Sequence, residues 1–157
     1  MAQLHESRNE VMTELQLPSG ARFYEDIRLL VYRPRGVLNQ EAVDAIVAAM
    51  GKLEYAFREP FDRFLDTLAA DEIELNHQFI IQISLYRRFA YTGRPPAKSA
   101  ILATDSTMVH YGRLHALLMQ GSPLSVRVFR DRKDAAEWLG LPIERLMVEK
   151  GDEQASI

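Results

Sequence analysis

Cysteine is missing from all 157 residues, which removes disulfides, thiolate metal sites and cysteine nucleophiles together. Charge of one sign is not in excess either. Lys and Arg number 19 against 22 Asp and Glu, so the chain lacks the broad basic footprint of a nucleic-acid-binding protein. Long apolar runs are also wanting: the greasiest stretch, "FIIQISLY", falls far short of the ~20 residues that span a bilayer. No membrane span is therefore expected. The opening "MAQLHESRNEVMTELQ" mixes acids among its apolar residues, does not read as a secretory signal, and leaves a cytoplasmic location as the default. Glycine is sparse and never set as Gly-x-Gly-x-x-Gly or Gly-x-x-x-x-Gly-Lys, which excludes two common phosphate cradles.

What remains is the composition of one soluble domain, long enough to bury ~70% of its unfolded surface. Residues 1–20 read as a separate segment, compatible with an extra strand, a loose helix or an arm that swaps onto a second subunit. Residues 21–146 form the domain, and 147–157 a polar tail that frays. "ARFYED" and "IRLLVYRPRG" read as paired strands, with Pro18-Ser19-Gly20 as a turn before them and Pro34 with Gly36 ending the second. Asn39 is placed to cap a helix whose Val43, Ile46, Val47, Met50, Leu53 and Phe57 make one apolar stripe. "FDRFLDTL" reads as a short strand. "EIELNHQFIIQISLYRRFAYTGR" fits both periods, but its length and the closing Gly93 favour a helix, Glu74–Tyr91. "KSAILAT" is a buried strand. Asp105 or Ser106 then caps a helix over "STMVHYGRLHALLMQ", with Gly121 as its stop. In "SVRVFRDRKDAAEWLG" a strand gives way at once to a helix capped by Asp131 and ended by Gly140. Alternation of this kind implies an α/β fold with a mixed, mostly parallel sheet of four or five strands and helices packed against it.

Three segments in this order carry a family likeness. "LLVYRPRGVLNQEAVDAIVAAM", "AILATDSTMVHYGRLHALL" and "VRVFRDRKDAAEWLG" resemble the STAS domains, in particular the SpoIIAA-like branch related to anti-sigma-factor antagonists. The resemblance implies a regulatory role exercised by binding partners or small ligands. It also exposes a departure. Antagonists that act as phospho-switches carry Asp-Ser-Ser-Gly at a helix start, whereas the corresponding "FLDTLAADEIELNHQF" has no such tetrad. Thr67 is the nearest hydroxyl, and Asp66, Asp71, Glu72 and Glu74 around it would repel a phosphate.

Sites of chemistry are sparse. His110 and His115 sit five apart, on different faces of one predicted helix, and no His-Glu-x-x-His exists, so the histidines read as surface or boundary groups and no metal is expected. "TDST", Thr104–Asp105–Ser106–Thr107, lies where open α/β sheets bind ligands, at a strand's carboxyl end, although helix capping accounts for it too. Arg33 and Arg35 at a strand end, and Arg87 and Arg88 beside aromatic residues, suit an anion or an acidic partner; a solvated helix end explains the second pair equally well. Gly112 inside a helix suggests close packing on the sheet. Ile80, Ile81 and Leu85 fall off the main stripe of their helix and suit either a homodimer contact or a lipophile-binding wall, the latter because this branch also resembles the lipid-carrying CRAL-TRIO fold.

No nucleophile with its base can be assembled, so a non-enzymatic, cofactor-free regulatory domain is expected. It would recognise a protein partner through helices 74–91 and 107–120 and form a homodimer. The alternative is a carrier or sensor of a small amphiphile.

Overall fold

The computed structural model describes residues 15–149. The expected N-terminal arm over residues 1–14 and the last part of the polar tail, 150–157, lie outside the described residues. The chain enters through the Pro18–Gly20 turn, where Ala21 N–H donates to Pro18 O at 3.0 Å. Gly20 has φ +87°, and a Cβ there would stand 2.5 Å from Arg33 O. Glycine is therefore required twice over, for backbone conformation and for space.

Strands β1 (Ala21–Tyr24) and β2 (Leu29–Tyr32) form the antiparallel edge of a five-stranded sheet. After the short β3 (Gly36–Asn39) come α1 (Gln40–Phe57), β4 (Asp62–Asp66), β5 (Ala70–Glu74) and α2 (His77–Ala90). β6 (Ala97–Leu102), α3 (Ser106–Leu118), β7 (Leu124–Phe129) and α4 (Arg132–Leu139) complete it, with a 3-10 turn at Ile143–Leu146. The main sheet runs β1-β2-β4-β6-β7, parallel from β2 onwards, so it is the mixed, mostly parallel α/β sheet expected. Because the parallel strands advance in one direction, crossovers of one hand place α1, α2 and α3 on the same face.

β2 serves both faces. Its four residues are all buried: Leu30 and Tyr32 meet α1, while Leu29 and Val31 meet α4. The four helices start alike, each with an Asn or Asp side chain accepting a backbone N–H three residues on. Asn39 takes Ala42, Asn76 takes Phe79, Asp105 takes Met108 and Asp131 takes Asp134, at 2.8–3.0 Å. Gly140, at φ +71°, stops α4.

Three expectations need correction. "GVLN" and "ADEIE" pair as a second, two-stranded parallel sheet, β3 with β5. The acid-rich β5 shows little strand propensity, and its ladder with β3 together with the packing of Leu38, Ala70 and Ile73 beside α3 holds it in place. Taking residues 70–74 for a strand shortens the following helix, which starts at His77 and not at Glu74. Ile80 is no surplus apolar residue either: it is buried, whereas Ile81 and Leu85 are exposed. Gly112 behaves as expected, since a Cβ there would lie 2.8 Å from Val128 Cγ2 and 3.7 Å from Ile101.

Candidate ligand-binding cavity

Between the sheet and α1–α3 lies a cavity of about 100 Å³. Leu30 and Tyr32 from β2, Leu65 from β4 and Ile101 from β6 form its floor. Ile46 and Met50 of α1, Ile80 and Ile83 of α2, and Met108 of α3 contribute the roof. These positions follow from helical spacing, which turns every third or fourth side chain of each helix towards the sheet. Val47 and Ile83 also line an outer groove between α1 and α2, shared with Asp44, Phe79 and Tyr86. That pair is the rim shared by the cavity and the groove.

Apart from Tyr32 and Tyr111, the polar lining residues gather towards the end where the parallel strands begin and the helices finish. Arg63 and Ser99 come from the starts of β4 and β6, Arg87 and His115 from the last turns of α2 and α3. His115 Nδ1 and Ser84 Oγ lie 2.7 Å apart, and Arg87 Nη1 donates to His115 Nε2 at 2.8 Å. Since a guanidinium only donates, Nε2 is the acceptor and the ring proton sits on Nδ1. Nδ1–H donates to Ser84 Oγ, whose own hydroxyl donates to Ile80 O at 2.6 Å. The imidazole is thus fully used as a neutral group. Burial, reinforced by the Arg87 charge, lowers its pKa from 6.5 to about 3. Ser84 and His115 do not make a nucleophile and base, because the imidazole gives its proton to the serine rather than taking one.

Arg87 is the unusual member. Part of the residue stays accessible, yet protein crowds its guanidinium enough that burial lowers its pKa to about 9, with the Arg63 cation adding to the effect and Glu54 opposing it. Glu54 is occupied elsewhere: it pairs with Arg63, accepts from Tyr91 Oη at 2.6 Å and pairs with Arg94 at 3.2 Å. The Arg63 guanidinium carbon lies 4.3 and 4.9 Å from the centroids of the Phe61 and Tyr91 rings.

The other residues singled out in the sequence are dispersed. Arg33 is buried and pairs with Asp66, and its Nη2 donates to Leu146 O and Met147 O at 2.6 and 3.1 Å, so it pins the end of the 3-10 turn. Asp66 also holds Arg132 at 2.9 Å. Arg35 is exposed, beside a surface depression that includes Ser19 and Pro34. Thr67 is buried, its hydroxyl donating to Leu102 O at 2.7 Å. Thr104, Asp105, Ser106 and Thr107 are exposed at the opposite end of the strands from Arg87, with Asp105 acting as the cap of α3. Arg87 and Arg88, neighbours in sequence, part company: Arg88 Nη1 donates to Leu118 O and Gln120 O at 3.1 and 2.6 Å, closing the end of α3. His115 is buried, contrary to the surface or boundary position expected of it. His77 and His110 are exposed and face each other, with Nε2 atoms 2.7 Å apart. Among the described residues no group of three or more His, Asp or Glu converges as a metal site, and no helix is long and apolar enough to cross a membrane.

Fold and cavity together define an α/β domain with an apolar chamber between its sheet and three helices. No family model matches the chain, and no curated protein is similar to it. Among solved structures it is similar to an uncharacterized protein of the DUF3478 family, with a SpoIIAA-like fold, from Shewanella loihica PV-4. The identity is 19% and the TM-score 0.46, over 76% of this chain and 90% of that chain. This likeness is one of fold alone.

Proposed function

We propose that this is a non-enzymatic, cytoplasmic domain that carries or senses a small lipophilic ligand. The observation that supports the reading is the chamber itself: apolar walls from strands of the sheet and from α1, α2 and α3, with a rim at Val47 and Ile83 shared with a surface groove. Close-packed interiors leave few voids larger than a water molecule, and apolar pockets with a few converging polar groups are where small ligands bind. Native mass spectrometry of gently purified protein, followed by organic extraction, tests this directly. The expected result is a constant added mass that extraction releases and that Val47→Trp, which plugs the rim, abolishes. A wild-type protein that carries no adduct and takes up no added alkanol would refute the proposal.

Recognition of a protein partner is the second reading, and a homodimer is its simplest form. It is favoured by Ile81, Leu85 and Phe89, which are 42%, 57% and 83% exposed and spaced four apart along the outer face of α2. Sedimentation equilibrium should show a dimer that Leu85→Glu with Phe89→Glu converts to monomer. A monomeric wild type would remove the dimer.

A further inference from the structure

We propose that the chamber selects a single-chain amphiphile with a carboxylate head, the head pairing with Arg87 and the tail lying between α1 and the sheet. This inference rests on the ligand-binding reading above and adds the chemistry of the head group.

Three observations carry it. Arg87 lines the chamber, and its one hydrogen-bond partner among the described residues is the neutral His115. A guanidinium offers five N–H donors, so one bond to an imidazole leaves the others available to solvent or to a ligand. The charge balance nearby also lacks an anion. Arg63, Arg87 and Arg94 stand around Glu54, whose carboxylate oxygens are engaged by Arg63, Arg94 and Tyr91. Asp62 also lies near Arg63, so three cations stand beside two acids; of the two arginines that line the cavity, Arg63 is paired with Glu54 and Arg87 has no carboxylate contact. Buried charges are ordinarily paired, because an unpaired one bears its full desolvation cost. A carboxylate entering the chamber supplies the missing partner in the planar, two-oxygen geometry that arginine favours.

The dimensions and the remaining surface define the rest of the ligand. From Ile80 to Arg87 the wall formed by α2 runs about 10 Å at the helical rise, the length of an eight-carbon chain. Because the chamber itself is about 100 Å³, the far end of such a chain would extend past Val47 and Ile83 into the outer groove. Arg87 has one charge to neutralise, which suits a singly charged carboxylate better than a phosphate dianion. The remaining walls, with Leu30, Ile46, Met50 and Ile101, offer an alkyl tail dispersion contacts and shelter from water.

Isothermal titration of the full chain with octanoate, 1-octanol and octylamine separates the two levels of the proposal. Octanoate should bind roughly tenfold or more tightly than 1-octanol, as expected of a charge-assisted pair in a desolvated site, and octylamine should bind worst. Arg87→Gln should abolish the preference for octanoate while retaining 1-octanol, and Arg87→Lys should keep a reduced preference. Equal binding of octanoate and 1-octanol to the wild type would overturn the head-group inference and leave the apolar chamber standing. Failure of all three probes would overturn the ligand-binding reading as well. Should Arg87→Gln not fold, the order of the three probes on the wild type and Arg87→Lys still decides the matter.

Discussion

Mild acid should loosen this protein through His115. In the folded chain its imidazole is held neutral, with a pKa of about 3, whereas in the unfolded chain it returns to 6.5. Between those values the unfolded state binds a proton that the folded state refuses, so stability falls as pH falls. The contribution is fully present above 6.5 and is lost progressively towards 3. Unfolded-state protonation at pH 5 corresponds to a loss of about 2 kcal/mol relative to pH 7.5. With a urea m-value of about 2 kcal/mol/M, the midpoint should drop by about 1 M. Carboxylates and the other histidines also titrate, so the comparison is made with His115→Gln. The glutamine amide can accept from Arg87 without taking a proton, and in that variant the drop between pH 7.5 and pH 5 should be smaller by about 2 kcal/mol. Long-range nitrogen–proton NMR supplies the microscopic counterpart, with His115 remaining in its Nδ1–H tautomer down to about pH 4. Parallel pH profiles for wild type and variant, or a His115 midpoint near that of an exposed histidine, would refute the assignment of a neutral, fully hydrogen-bonded ring.

Two further substitutions test the packing and the buried charges. Gly112→Ala gains up to about 1 kcal/mol of helix propensity but drives a methyl to 2.8 Å from Val128, an overpacking that costs about 1–3 kcal/mol. A lower melting temperature is expected from calorimetry, and a rise would show that α3 does not rest on β7 as described. Asp66→Ala leaves Arg33 and Arg132 without their carboxylate and should cost about 3–5 kcal/mol in denaturant unfolding. A loss below about 1 kcal/mol would mean that the cluster behaves like an exposed ion pair.

Much of the fold could be read along the chain because local chemistry writes it. Asn39, Asp105 and Asp131 announce helix starts by their side-chain acceptors, Gly140 announces a stop, and the short apolar runs in "LLVY" and "AIL" are those of strands buried on both faces. The β3–β5 pair was illegible for the opposite reason: "ADEIE" has no local signal, and it becomes a strand only by contact with a segment more than thirty residues away. Burial of His115 did have a signature, since Met108, Gly112, His115 and Met119 recur at helical intervals. Its meaning did not. That Ser84 and Arg87 approach the two nitrogens of one ring depends on how α2 lies against α3, which no single-helix pattern encodes. Arg87 and Arg88 likewise looked equivalent, although a helix turns them about 100° apart, one towards the chamber and one towards the end of α3.

The ties of Arg88 to Leu118 and Gln120, together with the Ser84–His115–Arg87 chain, bolt α2 to α3 along one flank. On the other flank the rim against α1 is made by Val47 and Ile83, whose contacts are worth only about 0.1–0.2 kcal/mol per atom pair and can be broken and remade a few at a time. The molecule therefore has a fixed jamb and a yielding one. A ligand that entered the chamber as proposed would displace α1 more readily than α2 or α3, whose mutual hydrogen bonds hold Arg87 in place.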